Sequence, residues 1–546
     1  MRQELVTYFI ERDMLLSPEV IELIENEEEF IKKFNEHLNH KEKLSVLNKE
    51  LYESVLQTTY ALDLNWKEFE KSRALHEKGN NERTYATFLD LLSYSINQKK
   101  TKELDHLLQE IKHEEQVIPE AQKLTSNVTV VSSWPITSEK RNVQDFVAHF
   151  RARYEQLKNI LLHRPELQNS ISIIRLQHKK DKEKIALVVM IREKTITKNG
   201  NIILTVEDTT GKINVLISKD NPLFTLGKDL TPDEVIGITG SLGTNIVFLS
   251  SIFLPDVPLN KELKKCPEEV YAAFISDIHF GSKYFLKNEF MQFIQWINGE
   301  TGNHHQQHIA QKLKYLFIIG DVVDGVGIYP GQEHNLEYKD ITEQYNLAAE
   351  YLGKIRKDVH LIMCPGQHDA VRISEPQPPL DNIYTQALKT IPNLILVTNP
   401  SLINIHASKD FPGFDVLLYH GASYHYFISN IDSLRQANSY DCPTNLQRYL
   451  LQKRHLAPSH GSSLYSPSKE KDPLVIDRVP DIFASGDLHR CDVSTYNNIT
   501  LVTASCFQGL TDFMIKVGSN PNIARVPLIN LKTREVKILN FSMEEE

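Results

Sequence analysis

The chain has 546 residues, of which 41% are hydrophobic and 24% charged, and a formal net charge of −10. Its length exceeds one core and suggests about three domains; the acidic balance excludes a generally basic nucleic-acid coat but leaves room for a local basic groove. The cysteines, Cys266, Cys364, Cys442, Cys491 and Cys506, contain no C-x-x-C pair, which argues against a structural zinc knuckle and for a reducing compartment.

The first residues, MRQELVTYFIERDM, carry charges throughout and lack a signal-peptide core. No apolar run approaches the ~20 residues of a membrane helix, so a cytoplasmic protein without membrane contact is expected. Residues 1–115 read as a helical N-terminal domain. Ser17, Pro18 and Glu19 form a helix start, with a capping side chain, proline at the first turn and an acid beside the amino end. Val20, Leu23 and Ile24 then share a face, and the run Glu27 to Glu29 reads as a solvated face.

Residues 116–165 read as a linker and an amphipathic basic helix. The stretch 126–138, SNVTVVSSWPITS, has no charge and several breakers. From Asn142 to Leu162, Phe146, Phe150, Tyr154, Leu157 and Leu161 fall on one helical stripe. Between 139 and 192, 12 Lys and Arg stand against 6 Asp and Glu. Such a stretch can bind DNA by releasing phosphate counterions, though each single residue is better read as solvated surface.

Residues 166–258 turn to short apolar strands: KIALVVMIREK, NIILTVEDTTGKINVLIS, EVIGITGSLG and NIVFLSSIFLP. Asn199-Gly200, Thr210-Gly211 and Leu242-Gly243 mark the turns. This predicts a small OB-type β-barrel. Its strands carry few aromatics, chiefly Phe248 and Phe253, which favours a docking role over base stacking. After Leu254-Pro255-Asp256-Val257-Pro258, residues 259–546 alternate apolar strands with helical stretches, the pattern of an α/β sandwich. The fold class is thus multidomain α+β.

Five loops carry the chemistry, each after an apolar strand. They hold Asp277-x-His279, Gly320-Asp321-x-x-Asp324, Gly366-Gln367-His368-Asp369, His420-Gly421 and Gly486-Asp487-Leu488-His489. Two divalent ions roughly 3.5–4 Å apart can clamp a phosphodiester and activate water. They need a bridging carboxylate and mixed oxygen and nitrogen ligands, which these residue types supply.

The order of these loops resembles the calcineurin-like phosphoesterase superfamily, with its D-x-H, G-D-x-x-D, G-N-H-D, H and G-H-x-H. Longer strings resemble the small subunits of archaeal D-family DNA polymerases: GDVVDGVGIYPGQ at 320–332, AVRISEPQPP at 370–379, KRHLAP at 453–458, VPDIFASGDLH at 479–489 and NPNIARVPLINL at 520–531. This resemblance implies a 3′–5′ proofreading exonuclease acting on primer-template and single-stranded 3′ DNA. It implies two divalent ions, Mn²⁺ or Mg²⁺, and a large catalytic subunit as partner. It assigns Asp277, His279, Asp321 and His489 to the first metal, with Asp321 bridging, and His420 to the second. It places His368 over the scissile phosphate, while Asp324 and Asp369 orient neighbours.

Two positions depart from that pattern: Gln367 replaces the motif's Asn, and Asp487 its first His. Both fall in the second metal's ligand set. The second position is therefore either remodelled, with Gln367 and Asp487 as working ligands, or decayed, as in the eukaryotic B-subunits of the same design, leaving a scaffold. A sliding-clamp contact is the other partner to consider. The nearest string, running from Gln508 to Phe513, lacks the apolar residue at its fourth position.

Overall fold

The computed structural model describes residues 15–16, 24, 30–31, 46–47, 128–134, 140–380 and 383–542. The helical domain expected over 1–115 therefore lies almost wholly outside the described residues; within it, Leu15–Leu16 pair in parallel with Val46–Leu47. The chain divides into two compact units, Met1–Leu124 and Thr125–Glu546. The second unit holds a barrel and a two-sheet sandwich.

Five strands form the closed barrel: β2 (Lys184–Ile196), β3 (Ile202–Glu207), β4 (Lys212–Ile217), β5 (Val235–Gly243) and β6 (Ile246–Phe253). Their order is β2-β3-β4-β6-β5, closing β5 back onto β2, and of these pairs only β4 and β6 run parallel. Closure follows from alternation. Ile202, Leu204 and Val206 of β3 are fully buried, while the residues between them reach the surface.

The remaining strands make two six-stranded sheets. The first has the order β10-β9-β8-β7-β16-β17, from β7 (Tyr271–Ile275), β8 (Leu313–Ile319), β9 (His360–Cys364), β10 (Leu394–Leu396), β16 (Arg525–Asn530) and β17 (Val536–Asn540). The second has the order β14-β15-β13-β12-β11-β1, from β1 (Val128–Ser132), β11 (Ser401–Ile405), β12 (Phe414–Leu418), β13 (Ile482–Ser485), β14 (Asp492–Tyr496) and β15 (Ile499–Thr503). Strands β7 to β10 are parallel, and β12, β13 and β15 likewise. Their inner faces share one core, including Phe274, Phe317, Ile362, Phe414, Val416, Ile482 and Val502. Every residue of β7 and β12 is buried because helices cover the outer faces. Those helices include α2 (Lys287–Ile297) and α3 (Ile341–Leu352) on one side, and α4 (Tyr424–Asn430) and α5 (Thr444–Lys453) on the other.

Part of the expected linker is strand. Residues Val128–Ser132 add β1 to the edge of the second sheet, pairing antiparallel with β11. Three valines in five residues favour a strand, but the partner lies some 270 residues away, beyond any local signal.

The amphipathic helix forms as expected. It is α1, Val143–Leu161, capped by Asn142, whose side chain accepts from the Gln144 amide, while Asp145 reaches back to the Asn142 amide. Tyr154, Leu157 and Leu161 pack on Val188, Met190 and Val235 of the barrel. One member of the basic stretch corrects the reading of solvated surface: Arg153 is 1% exposed. Its Nε donates to Asp472 at 2.6 Å and its Nη1 to the Pro458 carbonyl at 2.6 Å. A buried guanidinium persists only with such partners. Nearby, Lys453 Nζ meets Glu234 at 2.7 Å, again with both side chains buried. These pairs tie barrel, helix and sandwich into the one compact unit.

Breaking one partner of a buried pair costs about 3–5 kcal/mol. Arg153→Ala is therefore expected to lower unfolding free energy by that amount, measured by urea titration; a loss below about 1 kcal/mol would contradict the role given to the pair. Burial alone would raise the Asp472 carboxyl, but Arg153 and His455 hold it well below the usual carboxylate range. A depressed carboxylate stabilises the fold above its unfolded value near pH ~4 and loses that effect as pH falls toward its folded value. The stability gap between wild type and Asp472→Asn should thus be full at neutral pH and shrink only below about pH 4.

Candidate active site

The five motif loops meet at the carboxyl ends of β7, β8, β9, β12 and β13. Sites gather at such strand ends because the sheet holds each loop root rigidly. The backbone is strained there. Asp277, His279, Asp321, Asp487 and His489 all have left-handed φ, of 50°, 54°, 46°, 71° and 54°. That region is unfavourable for residues with side chains, and here the bends turn side chains inward. The loops also approach closely. A Cβ on Gly366 would lie 2.2 Å from Asp321 Oδ1 and 2.7 Å from His420 Nε2, so only glycine fits.

The structure brings all the candidate residues into one constellation. Asp277, His279 and His489 form one group whose ligand atoms lie within 4.8 Å of one another; Asp277, Asp321 and His420 form another. A third joins His279, Asp324 and His368. His279 Nε2 and His489 Nε2 face each other at 3.4 Å, and His489 Nε2 lies 3.3 Å from Asp277 Oδ1. His420 Nε2 lies 3.3 Å from Asp321 Oδ1. Its Nδ1 sits 2.7 Å from the Ile319 carbonyl, so Nδ1 donates there and Nε2 is the nitrogen left facing Asp321. On the other group, His279 Nδ1 is 3.1 Å from Asp324.

Several atoms of the constellation have no hydrogen-bond partner although shut off from solvent: Asp277 Oδ1, Gln367 Oε1, His420 Nε2 and Asp487 Oδ2. Buried acceptors without donors are costly unless a cation takes their place. The donor set, carboxylate and amide oxygen with imidazole, fits divalent metals. Burial opposes the charge on Asp321, yet His420 and His368 hold its carboxyl below the usual range. Burial likewise opposes charge on His420, and Asp321 nevertheless holds it well above, so a cation bound here would displace a proton from the imidazole.

Asp324 and Asp369 stand behind this layer. The Asp369 carboxylate accepts from the Gly366 and Val322 amides at 2.8 and 3.2 Å and from the Tyr345 hydroxyl at 3.0 Å. It thereby fastens the Asp321 loop to the Gln367 loop, and burial, with Asp321 nearby, pushes it up to about 6. Asp324 accepts from Gln332 and Gln508, both at 3.0 Å, while contacting His279.

Sequence reasoning missed several of these supports. Gln508, weighed there as part of a clamp-binding string, is buried and turned onto Asp324 and Ser282. Gln377 donates to the Gly366 carbonyl at 3.0 Å and accepts from Asn399 at 2.7 Å; Asn399 in turn accepts from the His420 amide at 2.9 Å. This relay braces the Gln367 loop against the His420 loop and gives the string AVRISEPQPP a physical reason. Ser276, whose hydroxyl donates to Asp277 Oδ2, and His425, 3.7 Å from Asp487, also went unnoticed. Only Ser276, adjacent to a motif, carried any sequence signal.

Residues 272–493 match the family model for the B subunits of DNA polymerases alpha and epsilon. Among individual proteins, the DNA polymerase II small subunit of Methanothermobacter thermautotrophicus is 38% identical over 401 residues, 73% of this chain and 80% of the relative. That of Archaeoglobus fulgidus is 37% identical over 70% of this chain and 74% of its own length. That of Methanocaldococcus jannaschii is 38% identical over 71% of this chain, the match covering 64% of its own length. Among solved structures, one described as a novel archaeal phosphodiesterase aligns with 50% of this chain and 99% of its own, at 11% identity and a TM-score of 0.25, too slight to add weight.

The crowding at Gly366 is testable. Gly366→Ala should displace Asp321 or His420 and weaken Mn²⁺ binding about 10–100-fold, the usual scale for disturbing a ligand's support. Calorimetric titration measures it, and unchanged affinity would contradict the tight approach.

Proposed function

The chain belongs to the family of archaeal DNA polymerase II small subunits, and from that premise we propose that it carries a metal-dependent 3′–5′ exonuclease site and docks a large polymerase subunit. The observation that carries the reading is the pair of buried ligand groups, Asp277 with His279 and His489 and Asp277 with Asp321 and His420, in which Asp277 Oδ1 and His420 Nε2 have no hydrogen-bond partner. Bound divalent ions would supply Lewis-acid activation of water and neutralise phosphate charge.

The residues do the rest. Asp277, His279 and His489 hold one position; His420, with Gln367 and Asp487, holds the other. Asp321, 3.3 Å from His420 and in one group with Asp277, would be the carboxylate shared between the two positions, as the family pattern assigns it. His368 Nδ1 sits 2.7 Å from the Asp324 carbonyl and so must carry its proton there. Nε2 is thereby aimed at the site, where it can hold or donate a proton to the leaving oxygen.

A cleft of about 880 Å³ opens from Gln367 and His368 and is walled by Val326, Ile328, Ile373, Pro378 and Tyr384. An apolar wall beside the phosphate position suits an unstacked strand end better than a duplex. The barrel, with the strand order of an OB fold and few aromatics, is assigned to docking. Gln508 is turned inward and is not assigned to a clamp contact.

Asp321→Ala should lower release of nucleotides from a mismatched 3′ end at least about a hundredfold, the scale of a lost electrostatic contact in the transition state, while the variant still folds and binds the large subunit. The assay uses the chain with its large subunit in Mn²⁺ and in Mg²⁺. Equal degradation by mutant and wild type would overturn the assignment. A wild type that binds the large subunit yet leaves every 3′ end intact would favour the scaffold reading.

A further inference from the structure

The two departures from the phosphoesterase pattern touch each other. Gln367 Nε2 donates to Asp487 Oδ1 at 2.9 Å, across 120 residues of sequence. The Asp487 amide donates to Asp277 Oδ2 at 3.1 Å, which anchors the loop root beside that carboxylate. This arrangement leaves Gln367 Oε1 and Asp487 Oδ2 buried and partnerless, with His420 Nε2 4.0 Å from Asp487 Oδ1. On the outer side stands His425, in α4, its Nε2 3.7 Å from Asp487 Oδ2 and its ring 5.8 Å from that of Tyr440.

We infer that Gln367, Asp487 and His425 form one interdependent unit that rebuilds the second cation position with oxygen donors, Gln367 and Asp487 as ligands and His425 as a positioning residue. The inference deepens the nuclease reading, whose cation pair it assumes. Chain length is the first argument. A Gln amide can give its NH₂ to Asp487 and keep its oxygen for a cation; an Asn, shorter by one methylene, cannot span both. Chemistry is the second. A carboxylate at 487 accepts the amide proton and adds an anionic oxygen, a donor that suits Mn²⁺ or Mg²⁺. A His at 487 would place a neutral ring against the same amide. Each change therefore has value only with the other. His425 is the third member because it stands 3.7 Å from Asp487 Oδ2, the oxygen that the amide leaves open, while Oδ1 is the oxygen turned toward His420, and it comes from the helix that begins just after the His420 loop.

The test is a cycle of Gln367→Asn, Asp487→His and the two combined, with His425→Ala and His425→Gln, all in the full chain. The readouts are Mn²⁺ affinity by calorimetry and the EPR signal of an exchange-coupled ion pair, with metal-free melting as the folding control. Each single change at 367 or 487 should weaken the second ion about 10–100-fold and replace the coupled signal by that of isolated ions. The double change should recover at least about tenfold of the loss. His425→Ala should weaken the second ion about tenfold, and His425→Gln, which keeps a donor, should restore most of it. Losses that simply add, or an unaltered second ion in His425→Ala, would overturn the inference. So would a wild type with no second ion. His425 is exposed, so its variants decide the matter even if a change at the buried pair prevents folding. A wild type that binds a coupled pair and yet degrades no DNA would overturn the nuclease reading and leave this unit standing.

Discussion

The structure depends on a problem of charge. Asp277 and Asp321 lie buried beside each other around His420, and buried carboxylates repel unless positive charge sits between them. Imidazoles supply part of that charge, and the partnerless oxygens call for the rest. Everything around the pair serves to hold it in place: rigid parallel strands beneath, left-handed turns that aim the side chains, glycines that let the loops meet, and amide relays behind.

The restraint is spread through the molecule. Asp369 ties two loops together by backbone amides, and Gln377 with Asn399 ties a third. Farther out, Arg153 with Asp472 and Lys453 with Glu234 lock helix, barrel and sandwich. Each lock is a buried polar group satisfied by a partner distant in sequence. The sandwich can therefore present five loops at fixed spacing, and the cleft beside His368 can open onto them without disturbing their geometry.

What the sequence revealed was local. Apolar runs ending in Asp, Gly and His mark strands with loops at their ends, so the five motifs could be read directly, as could the turns at Asn199-Gly200 and Thr210-Gly211; Leu242-Gly243, expected as a turn, instead ends β5 and pairs with Ile246 and Val247, the turn falling at Thr244-Asn245. The helix α1 was legible from its stripe and cap. What stayed hidden was long-range. The strand Val128–Ser132 finds its partner after some 270 residues. Arg153 looks like any surface base until Asp472 meets it. Gln508 looks like part of a surface motif until Asp324 does. The bond between Gln367 and Asp487 joins two departures that the sequence shows only as separate changes; the remodelled reading rests on that contact.

The central claim is that the partnerless atoms surround two cations. Anomalous diffraction at the manganese edge, on crystals grown with Mn²⁺, tests it most directly. The account predicts two peaks roughly 3.5–4 Å apart, one among Asp277, His279 and His489, the other among His420, Gln367 and Asp487, with Asp321 between. A single peak, or none, would contradict it.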